Sequence, residues 1–255
     1  MQQAAGSAQT APQQNGRVCD SFVVLDFEAT CDEARPPKPQ EIIEFPVVLV
    51  DARTLAVVDE FRTFVRPVHH PRLTAFCTDL TGIRQEDVDD APVWSEALAQ
   101  VSAWLDDQLA KFGHTRCLFV TCGDWDLAKM ILSQCATSGD HVPERFRQWL
   151  NIKYLFKRVT GKPACDMPQM LKELSLPLEG RHHSGLDDSR NIAKILATLL
   201  LAYPPEIQRD MLSYSRPAIG STARPAAVRP VSGSTQARPA SPTPTASKRA
   251  KADHR

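Results

Sequence analysis

Asp26 and Glu28 stand two residues apart at the end of an apolar run, Phe22-Val23-Val24-Leu25-Asp26-Phe27, that reads as a buried strand. Side chains two apart on a strand share a face and sit roughly 7 Å apart along the chain. Phe22 and Val24 share that face, so both carboxylates lie beside the apolar core. Two acids there repel each other, and their pKa values rise unless a cation neutralises them. A divalent metal is the simplest remedy, and oxygen ligands favour magnesium or manganese. Taken alone, such a pair is more often a solvated strand end.

Two further acidic elements lie far along the chain. Gly123-Asp124-Trp125-Asp126 follows a short strand candidate, Cys117–Thr121. Asp124 suits a helix N-cap and Asp126 a first-turn acid facing the helix dipole, and spacing does not say which of them points at a metal. The second element is His182-His183-Ser184-Gly185-Leu186-Asp187-Asp188, opening a long apolar-periodic segment. Asp188, Ile192, Ile195 and Leu199 follow i, i+4, i+7, i+11, the stripe that faces a core. Asp187, Asn191, Lys194 and Thr198 form the polar stripe. Asp188 therefore points inward, where an acid needs a partner, and Asp187 outward. A histidine in the preceding loop suits proton abstraction near neutral pH, although a loop histidine is usually a surface residue.

These residues need elements to hold them. Glu41–Val50 and Val57–Val65 read as two more strands joined by a hairpin at Asp51-Ala52-Arg53-Thr54, and Pro46 suggests a bulge or an edge position. Helical spacing covers Val93–Leu109, Asp124–Ala136, 166–174 and Leu186–Ala202. Three strands followed by alternating strand and helix predict an α/β domain, a mixed sheet with helices packed on it. That domain spans 21–203. Residues 1–20 and 204–255 read as disordered tails, the second rich in Pro, Ser, Ala, Thr and Arg and too poor in apolar surface to offset chain entropy.

Together the motifs resemble the DEDDh 3′→5′ exonucleases: Asp-x-Glu on a strand, a second Asp early in a helix, then His-x4-Asp. The match is Asp26 and Glu28, Asp126, and His183 with Asp188. The five-residue offset selects His183 over His182. Leu25-Asp26-Phe27-Glu28-Ala29-Thr30-Cys31, Glu41-Ile42-Ile43-Glu44-Phe45-Pro46-Val47-Val48, Leu80-Thr81-Gly82-Ile83 and Gly185-Leu186-Asp187-Asp188-Ser189-Arg190-Asn191 are similar to the eri-like branch of 3′ exoribonucleases. The resemblance covers roughly 21–203. It implies an RNase H-like fold with a five-stranded mixed sheet flanked by helices. It implies two Mg2+ ions, replaceable by Mn2+, held by Asp26, Glu28, Asp126 and Asp188, with His183 as general base. It also implies that Glu28, Ala29 and His183 touch the terminal nucleotide of an RNA with a free 3′ end. Phe76, Leu80 and Ile83 either wall the terminal base or belong to an ordinary core. Two departures stand out: His182 occupies a position where close relatives are expected to carry proline, and the N-terminal nucleic-acid-binding module of the histone-mRNA member is not expected, for want of room in residues 1–20. A DNA 3′ exonuclease of the same superfamily and a non-catalytic nucleic-acid-binding scaffold are the competing readings. The presence of all five side chains disfavours the scaffold.

Composition narrows the setting. Formal net charge over 255 residues is zero, but nine basic against three acidic residues from 204 onward give +6, which leaves −6 on 21–203. A basic tail on an acidic body hints at polyanion contact. Seven scattered cysteines without a CxxC pair argue against a disulfide framework and a structural zinc site, and point to a reducing, intracellular compartment, cytoplasmic or nuclear. No run reaches transmembrane length, and residues 1–16 lack the apolar core of a secretory signal. A monomer without a membrane partner is expected.

Overall fold

The computed structural model describes residues 19–202 and 212–214. Strand β1 (Ser21–Val24) continues as β2 (Glu28–Ala29), interrupted at Leu25–Phe27. Both pair antiparallel with β3 (Ile42–Asp51), which pairs on its other side with β4 (Val57–Phe64). Helices α1 (Ala75–Thr81), α2 (Gln85–Asp89) and α3 (Trp94–Phe112) lead to β5 (Cys117–Thr121), parallel to β1. A π-helical turn, Asp126–Met130, runs into α4 (Ile131–Ser138). A 3-10 turn, Glu144–Arg147, enters β6 (Gln148–Asn151), parallel to β5, and α5 (Ile152–Thr160), α6 (Met167–Glu173) and α7 (Gly185–Leu201) follow. Last comes β7 (Leu212–Tyr214), antiparallel to β6.

Counting β1 and β2 as one interrupted strand, the mixed sheet has six strands among the described residues, not the expected five. The additional strand is β7, inside a stretch that reads as tail. Leu212 packs against the layer of Leu150, and that burial gives the short strand a reason to pair. The other residues assigned to tails, apart from 19–20, lie outside the described residues.

Alternation along β1 builds two core layers. Val23, Leu25 and Phe27 face α3 and α4 with Phe45, Trp94, Val101 and Leu127. Phe22 and Val24 face α5, α6 and α7 with Val48, Leu155, Met170, Ile192 and Leu196. Pro46 lies in the middle of a central strand, where proline is normally excluded. The Ile43 carbonyl accepts from Val65 on the β4 side, so alternation turns Pro46 toward the opposite edge. There the constant register, Val24 with Val48 and Glu28 with Glu44, sets Pro46 against Asp26, in the gap between β1 and β2. No ladder bond is needed from it there.

Candidate active site

The gap in the first strand, the π turn and the start of α7 meet at one end of the sheet. Strand parity turns Asp26 and Glu28 toward the α7 layer, as the sequence predicts. Asp188, in the first turn of α7, comes from that layer, and ligand oxygens of Asp26, Glu28 and Asp188 lie within 4.8 Å of one another. Asp126 reaches the group from the other side of the strand: its Oδ1 accepts the Phe27 N–H at 3.0 Å. Asp124 turns away and accepts from Trp149 Nε1 and Tyr154 Oη, both at 3.0 Å. Of the two acids in Gly123–Asp126, Asp126 is therefore the buried one, 3% exposed against the half-buried Asp124.

Burial raises every carboxyl in the group, and crowding by neighbouring acids adds to it at Asp26 and Glu28. Burial first, then Asp126, Glu28, Asp188 and Glu44, push Asp26 well above the usual carboxylate range. Burial, with Glu44, Asp188 and Asp126, pushes Glu28 up to about 9. Burial raises Asp126 to about 6, opposed by the Phe27 amide and by the Lys153 ammonium. Asp188 is raised by burial against the pull of the His183 amide and of His182. Buried carboxyls at this density either keep their protons or are stabilised by a cation. The all-oxygen trio fits a hard divalent ion.

Helix α7 is pinned where it begins. Glu44, 1% exposed, accepts from the Gly185 and Leu186 amides at 3.1 and 3.3 Å, satisfying two orphan donors of the helix. A Cβ on Gly185 would lie 2.6 Å from the Asp26 carbonyl oxygen and 3.1 Å from Pro46 Cγ, so only glycine lets the helix start this close to the gap. Glu44 is a functional neighbour that residue spacing alone does not single out. Its signal is an acid inside the otherwise apolar run 42–50. Asp187 takes the outward position, accepting from the Arg181 amide and Arg190 Nη1 at 3.0 Å each. Asn191, placed on the polar stripe by periodicity, is fully buried: it binds the backbone of Glu179 and closes the loop onto the helix.

The two histidines divide their contacts. The His183 amide donates to Asp188 Oδ2 at 2.8 Å while its imidazole is exposed. The His182 imidazole stacks on it, centroids 3.9 Å apart, with Nδ1 3.0 Å from Asp188 Oδ2. Burial and His182 lower the His183 pKa, opposed by Asp188, which favours the neutral base. Among the residues expected to touch a terminal nucleotide, Phe76 is exposed and Leu80 half-buried, on one face of α1. Ile83 takes the ordinary-core alternative: it is 3% exposed and packs with Ile43, Cys77 and Val88 beneath α1. The Ala29 side chain is also buried. Trp125, 39% exposed beside Asp126, and Lys153 stand at the same end of the sheet, and motif spacing picks out neither.

The model of the exonuclease family named for RNase T matches residues 23–196, a span that includes all four carboxylates and both histidines. The chain belongs to this exonuclease family. Human ERI1 exoribonuclease 3 is 45% identical over 179 residues, 70% of this chain and 53% of that one. Human 3′-5′ exoribonuclease 1 is 38% identical over 185 residues, 71% and 52% of the two chains. The chain thus spans about half the length of the curated relatives it matches. The nuclease domain of 3′hExo, a DEDDh family member bound to rAMP, superposes with a TM-score of 0.68 at 38% identity, covering 72% of this chain and 93% of that domain. The fold is the α/β, RNase H-like one shared by these DEDDh exonucleases, with six strands in its sheet.

Proposed function

We propose that this exonuclease-family chain is a 3′→5′ exoribonuclease that releases nucleoside 5′-monophosphates. The observation that carries the reading is the convergence of Asp26, Glu28 and Asp188 oxygens within 4.8 Å, with Asp126 and a histidine loop beside them. Support comes from relatives named as exoribonucleases and from the rAMP held by a similar nuclease domain. Asp26, Glu28, Asp126 and Asp188 would hold two Mg2+ ions, which Mn2+ can replace. The bound metal supplies acidification of the attacking water and stabilisation of the departing 3′-oxyanion. An imidazole nitrogen of His183 takes the proton of that water as its oxygen bonds to phosphorus and the bond to the 3′-oxygen breaks. The open Phe76–Leu80 face of α1 takes the terminal base. RNA preference rests on contacts to the 2′-hydroxyl.

Digestion of matched RNA and DNA oligomers, labelled at either end, with and without EDTA, tests this. Stepwise loss from the 3′ end of RNA, abolished by EDTA, is expected. Preferential loss of DNA replaces the reading with a DNA exonuclease, and metal-dependent binding without products replaces it with a scaffold.

A further inference from the structure

Helix α1 is docked by its inner face and held at its far end by another part of the chain. On the inner side Cys77 Sγ lies 3.8 Å from the Ala29 carbonyl oxygen, and Thr74 Oγ1 donates to the Cys31 carbonyl at 2.7 Å, so α1 moves with the strand that carries Glu28. Phe76 and Leu80, four apart, line its open face. At its C-terminal end the last carbonyls lack helical partners. The Arg181 guanidinium supplies them: Nη2 donates to the Asp79 carbonyl and lies 3.4 Å from that of Leu80. Gly82 makes room for it. At φ +79°, a Cβ there would sit 2.6 Å from Arg181 Nη1.

Arg181 belongs to the loop that carries His182 and His183. Its own amide is fixed by Asp187 Oδ2, and its carbonyl accepts from the Ser184 amide. One residue therefore joins the histidine loop to the face available for a terminal base. Its side chain is exposed, and hydrogen bonds there add little to global stability. The link acts on the local geometry of the site. We propose that Arg181 is a positioning residue that couples the Phe76–Leu80 face of α1 to His183, so that a nucleotide seated on that face orders the histidine loop. This rests on the exoribonuclease reading.

Two experiments test the link. The first is a double-mutant cycle on RNA at saturating Mn2+ with wild type, Arg181→Ala, Phe76→Ala and the double variant. Arg181→Ala should lower kcat about tenfold, the scale of a small misplacement of a reacting group, while Arg181→Lys, which keeps the charge and one donor direction, restores part of it. The double variant should be little worse than Arg181→Ala, because cutting either end breaks the same link; losses that multiply overturn the proposal. The second is amide hydrogen exchange at His183–Leu186 on adding AMP with Mn2+. Protection is expected in the wild type and its loss in Arg181→Ala, whereas equal protection in both overturns the coupling whether or not turnover occurs. A wild type that binds AMP with this protection yet degrades no RNA defeats the exoribonuclease reading and leaves the link standing.

Discussion

Asp187 and Asp188 are adjacent acids with opposite surroundings, and this makes them a controlled comparison. Asp188 is 2% exposed, shares the oxygen cluster with Asp26 and Glu28, and has the His182 and His183 side chains beside it. Asp187 is tied to Arg181 and Arg190. Asp188→Asn should abolish magnesium-dependent degradation, whereas Asp187→Asn should leave the chemical step and cost at most a loosened loop. Equal losses in kcat would remove the distinction. The histidines invite a second comparison. His183→Ala should cut turnover by about 10² or more, the usual contribution of a general base. His182→Ala, which removes only an imidazole leaning on Asp188, should fall well short of that. If His182 proves the more damaging loss, the base is the other ring. A pH–rate profile for His182→Ala that keeps the acidic limb, beside one for His183→Ala that loses it, would make the same assignment without comparing magnitudes.

At the scale of elements, the site is a junction between the broken strand β1–β2 and the first turn of α7, and Gly185 sets its closeness. Gly185→Ala places a methyl 2.6 Å from the Asp26 carbonyl, so α7 must back away and carry Asp188 with it. Turnover should fall about 10², the cost of roughly an ångström of misplacement. Gly139→Ala is the control: its φ is +79° and nothing lies within 4 Å, so it should cost about 1–2 kcal/mol of stability through the left-handed backbone alone and no turnover. Comparable kcat losses in both variants would show that the first acts through stability alone. Element by element, legibility in the sequence followed locality. The two-residue period put Asp26 and Glu28 on one face, and the helical period turned Asp188 inward. Both depend only on neighbours in the chain. The choice between Asp124 and Asp126 was closed to such reasoning, since it depends on Trp149 and Tyr154 arriving from β6 and α5 to occupy Asp124. Spacing alone does not separate Ile83 from Phe76; the docking of α1, with Cys77 and Ile83 underneath, does. Helix α5 had usable signals, the Asn151 cap and the left-handed Gly161 that ends it, whereas α2, five residues long, carries too little periodicity to read.

For the molecule as a whole, the carboxylate cluster is a destabilising feature that the proposed metal binding would reverse, and this gives stability a pH dependence of known sign. Glu28 has an ordinary pKa of 4.5 but about 9 in the folded chain, and Asp126 goes from 3.8 to about 6. Between pH 4 and 9 the folded metal-free protein therefore holds protons that the unfolded chain has released. Its stability must fall as pH rises through that window. A divalent ion acts in the opposite direction. Bound to the deprotonated cluster of the native state as proposed, it would add about 2.7 kcal/mol at a concentration a hundredfold above its Kd. In EDTA the Tm should decline from pH 5 to pH 9, and the gain from Mg2+ or Mn2+ should grow over the same range. Glu28→Gln, which is neutral in both states and so escapes the cost of keeping Glu28 protonated far above its ordinary pKa, should raise the Tm in EDTA at pH 8, by about 2–4 °C per kcal/mol relieved. The same variant should lose most of the metal-induced increment and with it the activity. A Tm in EDTA that is flat with pH and indifferent to Glu28→Gln would mean that the four acids titrate in the fold as they do in the unfolded chain, and a site that holds no raised carboxyls has no such cost for a metal to relieve.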